Sequence, residues 1–198
     1  MKNWLDKMER RFGRYAIRNL TMYLLAGYAI GYLLSFTMPQ LLTYFTLEPA
    51  LILKGQVWRL LSWVIIPPND NIIFVIFMML LYYSLGNTLE SYWGAFRYNV
   101  YIFSGILFTV IGAFIVNGLI GGITGFGSLY STYYINMSIF LACASIMPDY
   151  QLLLYGIIPI KMKWLAVLDV VLLAVDAVQG GLIIRIVIIA SLLIFIIF

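Results

Sequence analysis

The chain has 198 residues, 64% of them hydrophobic and 10% charged, with a mean hydropathy of +1.00, more apolar surface than a water-soluble domain of this size hides in one core. It contains no histidine, which excludes any catalytic or metal-binding arrangement that depends on an imidazole. The formal charge of +4 and pI of about 9.1 come from basic residues set beside apolar runs, a distribution that suits anionic lipid headgroups and not nucleic acid.

These priors predict an all-α, polytopic integral membrane protein built as a six-helix transmembrane bundle. Residues 1–19 form a basic amphipathic N-terminal segment and residues 20–198 one membrane domain. Met1 to Asn19 is too charged for a cleavable signal, and the apolar run after it lacks a small-residue cleavage pattern, so the first span is expected to stay in the mature protein. Within that segment Trp4, Met8 and Phe12 share a helical face opposite basic residues, which predicts a helix lying on the inner membrane surface.

A span takes roughly 20 mostly apolar residues, and such runs fall at about 20–37, 72–88, 98–117, 130–147, 164–179 and 181–198. The short ones imply tilt or local bilayer thinning. Lys2, Lys7, Arg10, Arg11, Arg14 and Arg18 precede the first span. With the N-terminus inside, Arg97, Lys161 and Lys163 also fall in inner connections, and only Lys54 and Arg59 fall in outer ones. The positive-inside rule then predicts that both termini are cytoplasmic, while the membrane itself, bacterial plasma membrane or another, stays open.

The long connection from Met38 to Asn71 is too apolar for a free loop and too broken by Pro49, Gly55, Pro67 and Pro68 for a span. It is expected to lie in the outer interface as a helical first outer loop. Trp58 and Trp63 would then sit at headgroup level, with the Lys54 and Arg59 charges reaching toward water.

Small residues recur at four-residue spacing: Gly27, Gly31 and Ser35 on the first span, Gly105, Thr109, Ala113 and Asn117 on the third, Ser138 and Ala142 on the fourth. They predict close helix packing and nothing about chemistry. The fourth span is the most polar, with Ser131, Thr132, Tyr133, Tyr134, Asn136, Ser138 and Ser145. Its expected place is the middle of the bundle, where it acts as hydrogen-bonding glue or lines a site. Cys143, the single cysteine, has no intrachain disulfide or metal partner and is expected to be a packing residue. No metal and no cofactor is expected.

Three ionisable residues fall inside the last two spans. Asp176 and Arg185 lie at similar depth on either side of Gly180-Gly181 and are expected to pair. Asp169 lies nearer the inner end, out of reach of Arg185, either protonated or served by Lys163 snorkelling from the interface.

The run Gly55-Gln56-Val57-Trp58-Arg59-Leu60-Leu61-Ser62-Trp63 resembles the G-Q-x-W-R-L-x-T motif in the first outer loop of the rhomboid superfamily, which includes the derlins. The stretch from Leu85 to Tyr98, with Gly86, Glu90, Gly94 and Arg97, is similar to the rhomboid G-x-x-L-E-x-x-x-G-x-x-R-[FY] that ends the second span and enters the third. Met147-Pro148 followed by Gly156 to Trp164 echoes the fourth-to-fifth connection. The likeness runs from about Pro49 to Trp164 in the right order. It implies scaffold roles: Trp58 and Arg59 hold the outer loop, and Glu90 and Arg97 fix the inner turn.

The resemblance does not bring the protease with it. Rhomboid proteases use a serine in a G-x-S-G turn at the start of the fourth span, a histidine in the sixth as base, and a histidine and an asparagine on the second at the oxyanion. The matching second-span positions here fall near Phe74 and Met78. The fourth span starts Gly125-Phe126-Gly127-Ser128-Leu129-Tyr130-Ser131-Thr132-Tyr133, with no G-x-S-G turn and Tyr133 near the nucleophile position. The resemblance therefore implies a derlin-like pseudoprotease, not an enzyme, that binds or escorts transmembrane client proteins among membrane lipids. The alternatives are a small membrane transporter or channel component and, last, an active intramembrane serine protease.

Overall fold

The computed structural model describes residues 2–67, 72–154 and 158–197 and is mostly helical. In chain order it contains α1 (Lys2–Phe12), α2 (Leu20–Thr37), α3 (Pro39–Leu42), α4 (Pro49–Ile52), α5 (Arg59–Ser62), α6 (Ile72–Trp93), α7 (Ala95–Leu119), α8 (Tyr133–Ile146), β1 (Gln151–Leu154), β2 (Ile158–Lys161), α9 (Met162–Gln179) and α10 (Gly181–Ile197). Pro68 and Asn71, at the end of the first connection, and Gly156 of the third motif lie outside the described residues. Among those described, α2 and α7 are long and apolar enough to cross a membrane, with mean hydropathies of 1.4 and 2.1. By contrast α9 carries Lys163, Asp169 and Asp176, and α8 has 14 residues, about 21 Å against a hydrocarbon core of about 30 Å.

That short helix is the hub. Nine of its 14 residues are buried, and it packs against α6, α7, α9 and α10. Surrounded by protein, it need not match the bilayer. It starts later than expected, at Tyr133, where the Ser131 hydroxyl accepts a hydrogen bond from the Tyr133 amide at 3.2 Å. The α7–α10 pairing is the most extensive helix contact, and α7 also meets α6, α1 and α4. The core between them holds Leu85, Leu89, Tyr98, Tyr101, Ile102 and Val116.

Polar groups in this interior are met by other helices. Asn136 donates to the Tyr28 hydroxyl at 3.2 Å and joins α8 to α2. Tyr101 donates to the Ser138 carbonyl at 2.9 Å, and the Thr21 and Tyr98 hydroxyls share a hydrogen bond of 2.8 Å. Cys143 is buried, its sulfur 3.4 Å from the Leu85 carbonyl. Ser145 is exposed, so the polar face of α8 does not extend to its last turn.

Two residues of the connection before α6 are more deeply buried than expected. Arg59 is only 3% exposed. Its Nε donates to Gln56 Oε1 at 2.7 Å, and its Nη1 to the carbonyls of Thr43 at 2.8 Å and Thr46 at 3.0 Å. The expectation that its charge reaches water is wrong, because the guanidinium does its bonding inside the loop. Trp63, expected at headgroup level, is 1% exposed and belongs to the core. Trp58 does lie half in the open, its indole donating to the Tyr44 carbonyl at 3.2 Å.

Motif glycines mark backbone requirements. Gly55 (φ 103°) and Gly94 (φ 84°) adopt the left-handed region that side chains avoid. Gly94 makes the sharp turn that ends α6 at Trp93, past the expected end near residue 88, and begins α7. The Gly27–Gly31 stripe receives the 3-10 turn Trp63–Ile65: a Cβ on Gly31 would collide with the Ile65 carbonyl, whereas one on Gly27 would stand 3.8 Å from an Ile65 side-chain carbon.

Between α8 and α9 the chain forms an antiparallel hairpin, with Gln151 opposite Lys161 and Leu154 opposite Ile158, where an all-helical reading has no strands. At its base Lys163 and Lys161 approach the Asp149 carboxylate at 3.0 and 3.4 Å, and the Lys163 hydrogen bond, before the charge of either lysine, holds that carboxyl below its usual range.

Two outcomes follow for stability in detergent, read by thermal melting. Gly31→Ala is expected to cost about 1–3 kcal/mol by overpacking against backbone, while Gly27→Ala, with room for its methyl, is neutral or slightly stabilising. Arg59→Ala strands the Thr43 and Thr46 carbonyls and is expected to cost roughly 3 kcal/mol, with Arg59→Lys intermediate; an Arg59→Ala variant that melts like the parent would contradict the buried clasp.

Candidate functional site

The inner turn between α6 and α7 does hold Glu90 and Arg97, but they do not pair with each other. Glu90 Oε1 accepts a hydrogen bond from the Asn19 amide at 2.8 Å. Arg97 reaches α1 instead, with Asp6 at 2.6 Å and Glu9 at 3.0 Å. Gly86, one helical turn before Glu90, lets Thr21 and Tyr98 approach so closely that a Cβ would overlap both. These motif residues therefore dock the N-terminal segment and α2 against the α6–α7 corner.

At the other end of the bundle sits a residue that the sequence motifs do not single out. Glu48 is 7% exposed, and its Oε1 accepts hydrogen bonds from the amides of Gly125 at 2.9 Å and Gly127 at 2.8 Å. This carboxylate ties the outer loop to the segment that leads into α8. A Glu directly before Pro49, with glycines at 125 and 127 able to present bare amides, is the signal that could have found it.

The positions that would carry proteolysis do not assemble a nucleophile with a base. Ser128 is exposed in a 3-10 turn, and the Ser131 hydroxyl accepts the Tyr133 amide just before α8. Tyr133 makes an edge-on ring contact with Tyr134, centroids 5.2 Å apart. Met78 is half-buried on α6; the side chain of Phe74 lies outside the described residues. Among those described, no three Cys, Asp or Glu side chains converge on a point that could hold a metal ion.

The charges on α9 and α10 rearrange the expected pairing. Arg185 turns back onto the end of α9, donating from Nε to the Ala177 carbonyl at 2.6 Å with the Val178 carbonyl 3.5 Å from Nη2. It thus satisfies carbonyls that a helix C-terminus leaves unpaired and makes no ion pair with Asp176, which lies within electrostatic reach of Tyr133 and Tyr134. Lys163 is engaged by Asp149 and does not serve Asp169.

Asp169 is the outstanding group. It is 8% exposed, and its Oδ2 is buried without a hydrogen-bond partner. It lies in a cavity of about 220 Å³ lined by Leu81 and Tyr82 of α6, Met137 and Phe140 of α8, and Leu165, Leu168 and Leu172 of α9. The cavity exists because α6 and α9 both lean on α8 and scarcely touch each other. Tyr82 and Tyr133 lie within electrostatic reach of Asp169, and farther back the Thr132 hydroxyl sits beside Tyr28 without a well-formed bond of its own. The result is a mostly apolar cleft lined by one carboxyl group and the Tyr82 side chain.

Releasing the inner clasp should be visible without any activity. Arg97→Ala removes two half-exposed ion pairs worth about 1 kcal/mol together, so amide exchange over residues 2–15 is expected to quicken roughly five-fold, with the amides of α7 unchanged.

No curated protein and no solved structure shows significant similarity to the chain. The model of the family described as "Eukaryotic integral membrane protein (DUF1751)" matches residues 18–197, beginning at the end of the amphipathic segment and covering the α2–α10 helices, the Asp169 cleft and the Glu48 clasp. The chain belongs to this family of eukaryotic integral membrane proteins.

Proposed function

We propose that the protein is a rhomboid-like, derlin-like pseudoprotease that holds other membrane proteins in the bilayer. The six long helices α2, α6, α7, α8, α9 and α10 act as its spans, with both termini cytoplasmic. Its first outer loop is a helical cap at the outer interface. The observation that carries this reading is the lipid-side cleft between α6 and α9, which combines an apolar lining with the unpartnered Asp169 carboxyl. In hydrocarbon an unmet acceptor is costly. A client helix bearing a lysine, arginine or hydroxyl at the same depth would relieve that cost while its apolar surface fills the cleft.

The motif residues support a scaffold reading because each holds part of the structure in place. Arg59 ties the outer loop together, Gly86 permits a helix crossing, and Glu90 and Arg97 secure the inner turn. A chain without histidine has no imidazole base to activate a serine.

A second reading, a small transporter or channel component, rests on the same carboxyl: a protonatable Asp169 beside hydroxyl groups is the one feature that suits proton-coupled movement. It lacks the paired broken helices of midplane transport sites.

Three measurements separate these readings. A photocrosslinker at Leu81 or Leu168 in native membranes is expected to capture membrane proteins, and Asp169→Leu to lower the yield roughly ten-fold, the worth of a hydrogen bond to a charged group; capture of lipid alone contradicts client binding. In liposomes, Asp169→Asn should leave ion and solute flux unchanged, whereas a loss of flux would favour the transporter. Incubated with transmembrane protease substrates, the purified protein is expected to leave them intact. Ser128→Ala should then be silent, and Ser131→Ala should change only stability, by about 1 kcal/mol through the lost hydrogen bond to the Tyr133 amide.

A further inference from the structure

The residues that join α1 to α2 lie against α7 over an open apolar groove of about 360 Å³, whose walls include Phe12, Tyr15, Ile17, Phe103 and Leu107. Asn99 also lines it and is 5% exposed. Its amide nitrogen donates to the carbonyls of Ile17 at 2.8 Å and Ala95 at 2.6 Å. Its amide oxygen is buried with no partner, an acceptor left over at the groove.

Two of the wall rings carry a guanidinium. The Arg11 group lies 5.4 Å from the centroid of the Phe12 ring and the Arg14 group 4.8 Å from that of Tyr15, with Arg14 also donating to the Tyr15 hydroxyl at 2.7 Å. Among the described residues neither makes an ion pair. The acidic side chains of α1, Asp6 and Glu9, both turn to Arg97 and not to these arginines, whose positive groups stand over two rings of the groove's wall.

We propose that this groove binds one anionic phospholipid. The phosphate sits at Arg11 and Arg14, an acyl chain runs along Phe103 and Leu107, and a glycerol or headgroup hydroxyl donates to the free oxygen of Asn99. Charge complementarity selects the occupant: an apolar peptide would fill the slot but leave two cations and an acceptor unmet, and a zwitterionic lipid brings its own cation to the arginines. The proposal rests on the chain being a membrane bundle with its basic N-terminal segment at the lipid surface, and is independent of client binding at the Asp169 cleft.

The test uses the full chain in detergent, with retained lipid counted by native mass spectrometry during titration with phosphatidylinositol or phosphatidylcholine. One phosphatidylinositol is expected to stay bound at concentrations at which phosphatidylcholine does not. Each surface arginine is worth about a five-fold preference for an anionic lipid, so Arg11→Gln with Arg14→Gln should lower that preference roughly 25-fold. Ser104→Phe, which fills the slot and leaves every charge in place, should abolish retention; Leu107→Trp replaces it if that variant does not give a parent-like melting curve. Retention that survives filling of the slot would reduce the effect to charge on a basic surface and overturn the site, as would equal retention of phosphatidylcholine.

Discussion

A helix as polar as α8 is stable in a membrane protein only where other protein surrounds it, because hydrocarbon offers nothing to a buried amide or hydroxyl. Most of the architecture follows from meeting that condition. Asn136 reaches across to the Tyr28 phenol of α2, the Ser138 carbonyl takes the Tyr101 hydroxyl of α7, and Cys143 faces the backbone of α6. Three neighbours are thereby drawn onto one short helix. Small residues let them come close: Gly105 meets Ile135, and Gly112 meets Ala190. The helices on the far side, α9 and α10, then cover what remains of its surface.

The same condition explains the two charged clasps in the connection between α2 and α6. Arg59 is buried with no carboxylate beside it among the described residues, and three backbone or amide oxygens receive its protons. Glu48 is buried with two glycine amides as donors. Each turns an irregular stretch, which could not otherwise sit near a membrane with its backbone groups unmet, into a fixed lid over the helix ends. Arg185 does a smaller version of this at the end of α9.

How much of this is legible in the sequence depends on whether partners are local. The long helices can be read from apolar runs, and the central place of α8 from its hydroxyls and amide, since polarity inside an apolar chain demands protein neighbours. Arg59 as a tie between loop carbonyls follows from its five donors. Its depth does not, because burial depends on Thr43 and Thr46 folding back over it. Asp176 and Arg185 look paired on depth alone, and rotation about the helix axes, which spacing across a turn does not give, sends them to different neighbours. Trp63 reads as an interfacial ring by residue type, yet the Gly27–Gly31 notch makes room for its turn inside the core. The hairpin escapes a helical reading because two apolar runs of four residues beside helices look like helix margins, although Tyr155-Gly156 between them is a turn signal.

The motif residues separate scaffold from chemistry. Gly55 and Gly94 adopt backbone angles that side chains resist, Gly86 permits a close crossing, and Arg59, Glu90 and Arg97 anchor the N-terminal and outer connections. None of these roles requires a nucleophile or a base. What a fold so held offers is whatever its helices leave open. Here that is the gap where α6 and α9 fail to meet, with one carboxyl at its back. A closed, fully satisfied α6–α9 contact would be more stable than this gap, so the unmet acceptor makes no contribution to the fold.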